Sequence, residues 1–166
     1  MKTLPRIWRH LVTTSAGSRR AFPEAALDDI QKIIAKGETL HRAEVRLVIE
    51  PSLSIQDVLN GKTSRERALE LFSQYGIWDT EENCGILIYI ELADHQVEIV
   101  ADRGVDRIIS ESEWQDVCQT MTTGFARDSY GDAVIAALEK LNALLHVRFP
   151  DDESGVNQLS DRPIML

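Results

Sequence analysis

From Ala21 to Gly37 the residues Leu27, Ile30, Ile33 and Ile34 recur at helical spacing, with Pro23 suited to the first turn and Gly37 following the last. The spacing predicts a helix whose apolar stripe faces a sheet. At Glu44 the period changes to two. Val45, Leu47 and Ile49 fall on one side, Arg46, Val48 and Glu50 on the other, and Pro51 ends a half-buried strand. Ser54 to Leu59 reads as a short turn of helix. Thr63 and Glu66 then form a capping box ahead of Ala68, Leu69, Leu71 and Phe72, which predicts a second helix ending near Tyr75-Gly76. Ile86 to Leu92 is apolar except for Glu91, the pattern of a central strand covered on both faces. The turn Ala93-Asp94-His95-Gln96 joins it to Val97–Val100 as a hairpin. Ser110 and Glu113 form a second capping box before Trp114, Val117, Cys118, Met121 and Phe125. A last helix runs from Gly131 to Val147 along Val134, Leu138, Leu141 and Leu145, and Pro150 ends the folded region.

This order implies a sheet with helices on both faces, with three strands visible and a fourth expected around Val105 to Ile109. A chain of 166 residues suits one core. Three parts are expected: a basic arm over 1–20, an α/β domain over 21–150 and a polar tail over 151–166, either mobile or pinned by Ile164 and Leu166.

The net charge of −9 is unevenly distributed. Lys2, Arg6, Arg9, Arg19 and Arg20 place five positive charges and no acid in the first twenty residues, leaving −14 on the remainder. Such a body repels phosphate backbones, and nucleic acid is not an expected partner. Within the arm, Ile7, Trp8, Leu11 and Val12 share a helical face with Arg6, Arg9 and His10 around it. That is the pattern of an interfacial helix, or of a helix that docks on its own domain. No run is long enough for a signal-peptide core or a bilayer span. A cytoplasmic protein is expected, peripheral to the membrane at most through the arm, with other proteins as partners and Trp8 as one anchor. Cys84 and Cys118 lack metal-ligand spacing and read as reduced core residues.

No phosphate loop, HExxH pair or Gly-x-Ser-x-Gly elbow occurs, and no organic cofactor is expected. What remains is acidic. Asp79, Glu81 and Glu82 precede the central strand, and Asp102 and Asp106 follow its partner. A hairpin returns the end of the second strand to the start of the first, so the two groups should converge on one rim. Carboxylates gathered there suit Ca²⁺ or Mg²⁺, with Asp79, Glu82, Asp102 and Asp106 as the ligand set, or they form a solvated acidic loop. Arg103 either serves a phosphate or locks the loop against Asp102. The catalytic candidates are thus Asp79, Asp102 and Arg103. His41 and Glu44 offer a base or ligand, or a local hydrogen bond at the helix-to-strand turn. His95 and His146 read as structural, and Trp78 as a lid on the core or a partner anchor.

The stretch Tyr75–Arg107 resembles the TPM domain family, named from thylakoid photosystem-repair proteins. The resemblance lies in Trp78 after a helix, the Asn83-Cys84-Gly85 turn, the Ile86-Leu87-Ile88 strand and Asp94-His95-Gln96. It continues through Val97–Val100 to the glycine loop Asp102-Arg103-Gly104, and the later helices extend it over roughly Pro23 to Pro150. The loop departs from the family's Gly-Tyr-Gly-Leu-Glu, reading Ala101-Asp102-Arg103-Gly104-Val105-Asp106. The resemblance implies a three-layer α/β/α sandwich with a mixed central sheet of about four strands, of the short soluble bacterial type. It also implies two functional expectations: a non-catalytic interaction, quality-control or assembly module, and a weak, divalent-metal-assisted acid phosphatase.

Overall fold

A computed structural model describes residues 3–151 and 156–166. Two helices open the described chain, α1 (Thr3–Val12) and α2 (Ser15–Ala21), the second capped by the Thr14 side chain. Then come α3 (Glu24–Glu38), β1 (Glu44–Glu50), α4 (Ile55–Leu59) and α5 (Ser64–Gln74). The hairpin is β2 (Gly85–Glu91) and β3 (Gln96–Ala101), followed by the single turn α6 (Arg103–Asp106), α7 (Glu111–Phe125), α8 (Tyr130–Arg148) and β4 (Ile164–Met165). Both capping boxes form as the sequence predicts, at Thr63/Glu66 and Ser110/Glu113.

The strands form one mixed sheet in the order β3-β2-β1-β4. β1 runs parallel to both β2 and β4, while β3 is antiparallel to β2. Alternation along β1 sorts the core into two layers. Val45, Leu47 and Ile49 join Ile86, Ile88 and Ile90 under α3, α7 and α8, whereas Val48, Leu87 and Tyr89 meet Ala68 and Leu71 of α5. Helices therefore cover both faces, and the architecture is the expected α/β/α sandwich. Gly37 lets α3 approach α8 closely, because a Cβ there would lie 2.2 Å from Asn142 Oδ1.

The fourth strand is not where the sequence analysis puts it. Asp102 caps the single turn α6 over Arg103–Asp106, and the chain continues in turns to Ile109, so this segment coils and buries Val105 and Ile109 four residues apart. The missing strand comes from the tail. Ile164 pairs with Val48 and Met165 with Ile49, and the Leu166 N–H bonds the Ile49 carbonyl at 2.9 Å. An apolar pair at the end of a polar stretch is enough to add a short edge strand.

Candidate functional site

Functional side chains collect at the two opposite ends of the sheet. At the end where β1 and β2 begin, the backbone converges as expected: Asp102 N–H bonds Gly85 O at 2.9 Å, and Gly104 N–H bonds Asn83 O at 2.8 Å. A Cβ on Gly104 would stand 2.4 Å from the Glu82 carbonyl oxygen, so only glycine fits this crossing. The side chains on this rim are largely committed elsewhere. Glu82 pairs with Arg42 at 2.5 Å, and an Asp102 oxygen accepts the Arg103 backbone N–H at 2.7 Å. The Asp102–Arg103 contact is thus a cap and not an ion pair between side chains. Asp79, Arg103 and Asp106 are exposed. Among the described residues Asp79, Glu82, Asp102 and Asp106 do not form a compact ligand set, since one other group alone brings three such atoms within 4.8 Å of one another. As placed, these four carboxylates do not fit a preformed Ca²⁺ or Mg²⁺ site. Trp78 is 54% exposed and does not act as a lid on the core.

His41 and Glu44 lie at the same end but do not bond each other. The His41 Nε2 lies 3.0 Å from Asn142 Oδ1 of α8, and Glu44 accepts the Leu159 N–H of the tail at 3.0 Å. Beside them Glu38 accepts the Val45 N–H and an Asn157 N–H. Burial pushes Glu38 up to about 9, raises Glu44 and lowers His41. Glu38 and Glu44 thus bind the tail beside the start of β1, while His41 ties that end to α8. His146 does cap a carbonyl, with Nδ1 3.0 Å from Leu40 O.

The opposite end, where β1 and β2 finish, is charged as well. Open α/β sheets tend to place their sites at this carboxyl end of parallel strands. Glu50 and Glu91 are register partners there. Glu50 accepts the Tyr89 hydroxyl at 2.6 Å and pairs with Arg67 at 2.9 Å. Glu91 is fully buried and faces the hairpin turn, its carboxylate accepting the Asp94 N–H. Over this end lies α1. Arg6 Nε and an Arg9 Nη each reach an Asp94 oxygen at 2.6 Å, and His10 Nε2 lies 3.2 Å from the same carboxylate. Leu53 donates its N–H to His10 Nδ1 at 3.0 Å, which fixes Nε2 as the protonated nitrogen that donates to Asp94. Burial and the Asp94 charge push Glu91 up to about 7. Burial opposes ionisation of Asp94 too, but its bonds from Arg9, Arg6 and His10 outweigh that and hold it at about 2.

His10, Glu91 and Asp94 are the one trio with metal-ligand proximity among the described residues. Their chemistry is that of a latch. Both imidazole nitrogens are already engaged, and two guanidiniums sit beside the carboxylate where a cation would go. In the sequence Glu91 reads as an interruption of a strand and Asp94 as a turn residue. The signals available were an acid inside an apolar run and a histidine among the arm's arginines. Polar docking turns the helix apolar side outward: Leu4, Trp8, Leu11 and Val12 are 76%, 67%, 56% and 54% exposed.

The chain is similar to several known proteins. The family model that matches it is described as the TPM domain and covers residues 18–144. Among solved structures, the NMR structure of the BA42 protein from the psychrophilic bacterium Bizionia argentinensis has a TM-score of 0.76 at 19% identity, over 86% of this chain and 93% of that one. At that identity the likeness is one of fold. Among curated proteins nothing matches.

Proposed function

Because the chain belongs to the TPM domain family, whose fold alone fixes no activity, we propose from its surface that it is a non-catalytic interaction module that meets an anionic lipid surface through α1. The observation that carries this reading is the orientation of α1. A helix that docks on its own domain normally buries its apolar side, whereas here His10 is buried, Arg6 and Ile7 are half-buried, the exposed Arg9 reaches back to Asp94, and Leu4, Trp8, Leu11 and Val12 face water. Burial of each such side chain is worth about 1.5–3 kcal/mol when complete. Leu59 of α4, the helix packed against α1, is also exposed. An indole among aliphatic side chains suits the headgroup boundary, and the exposed Arg19 and Arg20 of α2, the next helix of the chain, add positive charge to the arm. No helix among the described residues is long and apolar enough to cross a membrane, so attachment of this kind is peripheral.

Flotation of the full chain with phosphatidylglycerol-containing vesicles tests the reading. Binding that falls at least fivefold with Leu4→Ser/Leu11→Ser, and is absent on phosphatidylcholine alone, supports it. Equal binding to both lipids, or capture of α1 by a second copy of the chain, contradicts it.

The metal-assisted phosphatase stands beside it as a second reading. Its support is the backbone convergence of the Glu82–Gly85 and Asp102–Gly104 segments, and it requires Glu82 to leave Arg42. Calcium titration by calorimetry, with Asp79→Asn and Asp102→Asn as controls, tests it. Heat lost in both variants favours it, and no heat from the unaltered chain removes it.

A further inference from the structure

β3 is the last strand of its side of the sheet, and among the described residues no strand pairs with its outer edge. The register decides which groups that edge presents. Asp102 bonds Gly85 and the two strands run antiparallel, so even-numbered residues of β3 turn their backbone groups toward β2, and Val97, Ile99 and Ala101 turn theirs outward. The Ile99 carbonyl indeed accepts an outside donor, Arg65 Nη1 of α5, at 2.5 Å. Along this edge, between α5 and α7, runs a cleft of about 760 Å³. Ile99, Trp114 and Cys118 give it an apolar wall, all three packed against the main core and only partly buried. Its charged residues are three acids, Glu98, Asp106 and Glu111, against the single base Arg65.

We propose that this edge accepts one extended, positively charged peptide strand from a partner protein. Open backbone groups supply the ladder, as strand addition requires, and Ile99, Trp114 and Cys118 offer a surface for alternate side chains of the incoming segment. The excess of acid selects lysine or arginine at the intervening positions. The same argument disfavours a second copy of this chain, since each copy carries −9. Arg65 is the gate: its guanidinium holds the Ile99 carbonyl that the incoming N–H needs, and it leans toward Glu98 at 3.6 Å.

The test uses the full chain without lipid, so that it is independent of α1, and an end-blocked nine-residue peptide of alternating valine and lysine as the probe. Amide exchange should slow at least tenfold at Val97, Ile99 and Ala101 when the peptide is added. Of two peptides N-methylated on alternate residues, one should lose binding and the other keep it. Ile99→Pro removes an outward donor that an edge strand can spare, and should weaken binding at least tenfold. Ala101→Pro, with a smaller side chain at stake, does the same if Ile99→Pro fails to fold. Arg65→Ala should tighten binding, and a valine-glutamate peptide should bind at least tenfold more weakly. No binding at millimolar peptide overturns the proposal. So do equal binding of both methylated peptides, unchanged amide exchange, and a peptide-free dimer broken by Ile99→Pro.

Discussion

Glu91 shows how a single carboxyl can record the burial of a strand end. Its folded pKa of about 7 lies above the usual carboxylate value of 4.5, so between those pH values the folded chain keeps a proton that the unfolded chain has released. Stability from this group therefore falls as pH rises through that window, by roughly 3 kcal/mol in all at 1.36 kcal/mol per unit. Glu91→Gln should melt higher than the unaltered chain at pH 8 and equal to it near pH 4.5, as thermal denaturation across pH will show. Asp94 acts in a lower window, contributing stability above its ordinary 3.8 that is lost as pH falls toward 2. Gly104 is a steric case. Ala at this position places a methyl within 2.6 Å of both the Glu82 and Asn83 carbonyl oxygens, and Gly104→Ala should cost about 1–3 kcal/mol in urea unfolding. At this scale the sequence was partly legible. The hairpin rule brought the two rim loops together, but the rule says nothing about where Glu82 spends its charge, and Arg42 is forty residues away.

At the scale of elements, α1 is held by Asp94 and by the Leu53 N–H on the buried His10, with Ile7 half-buried. Asp94 is the shared acceptor, so Asp94→Ala leaves Arg6 and Arg9 without their carboxylate and should release the helix, at ~1–3 kcal/mol. Limited proteolysis checks this: cleavage within residues 3–14 should quicken at least tenfold while cleavage in α3 to α8 stays unchanged. A helix that stays protected in Asp94→Ala shows that other contacts hold it. The longer elements were legible because one period runs through each of them, as in α3, α7 and β1. α6 and β4 were not. Four and two residues carry no period, and pairing of Ile164 with Val48 depends on a contact across more than a hundred residues. Nor does helical periodicity tell which side of α1 faces inward, because both the apolar side and the arginine side have partners that a sequence does not display.

For the whole molecule, the opposition between a positive arm and an acidic body takes on a geometry. Part of the arm's charge is neutralised on Asp94, whereas Arg19 and Arg20 of α2 remain exposed. On the lipid-docking proposal, an anionic surface meets the arm and is repelled by the acidic body, which gives the attached protein one orientation. Attachment should weaken as salt rises, through the charge term, while the apolar term persists. The β3 edge and the α1 stripe belong to different elements, although Arg65 and Glu98 of the cleft share a second pocket with Arg6 and Arg9 of α1. The most direct test of lipid docking is tryptophan quenching by brominated phosphatidylglycerol in a Trp78→Phe/Trp114→Phe chain, where Trp8 is the sole indole. Docking through α1 should give a blue-shifted emission that the bromines quench; emission unchanged from that in buffer contradicts it.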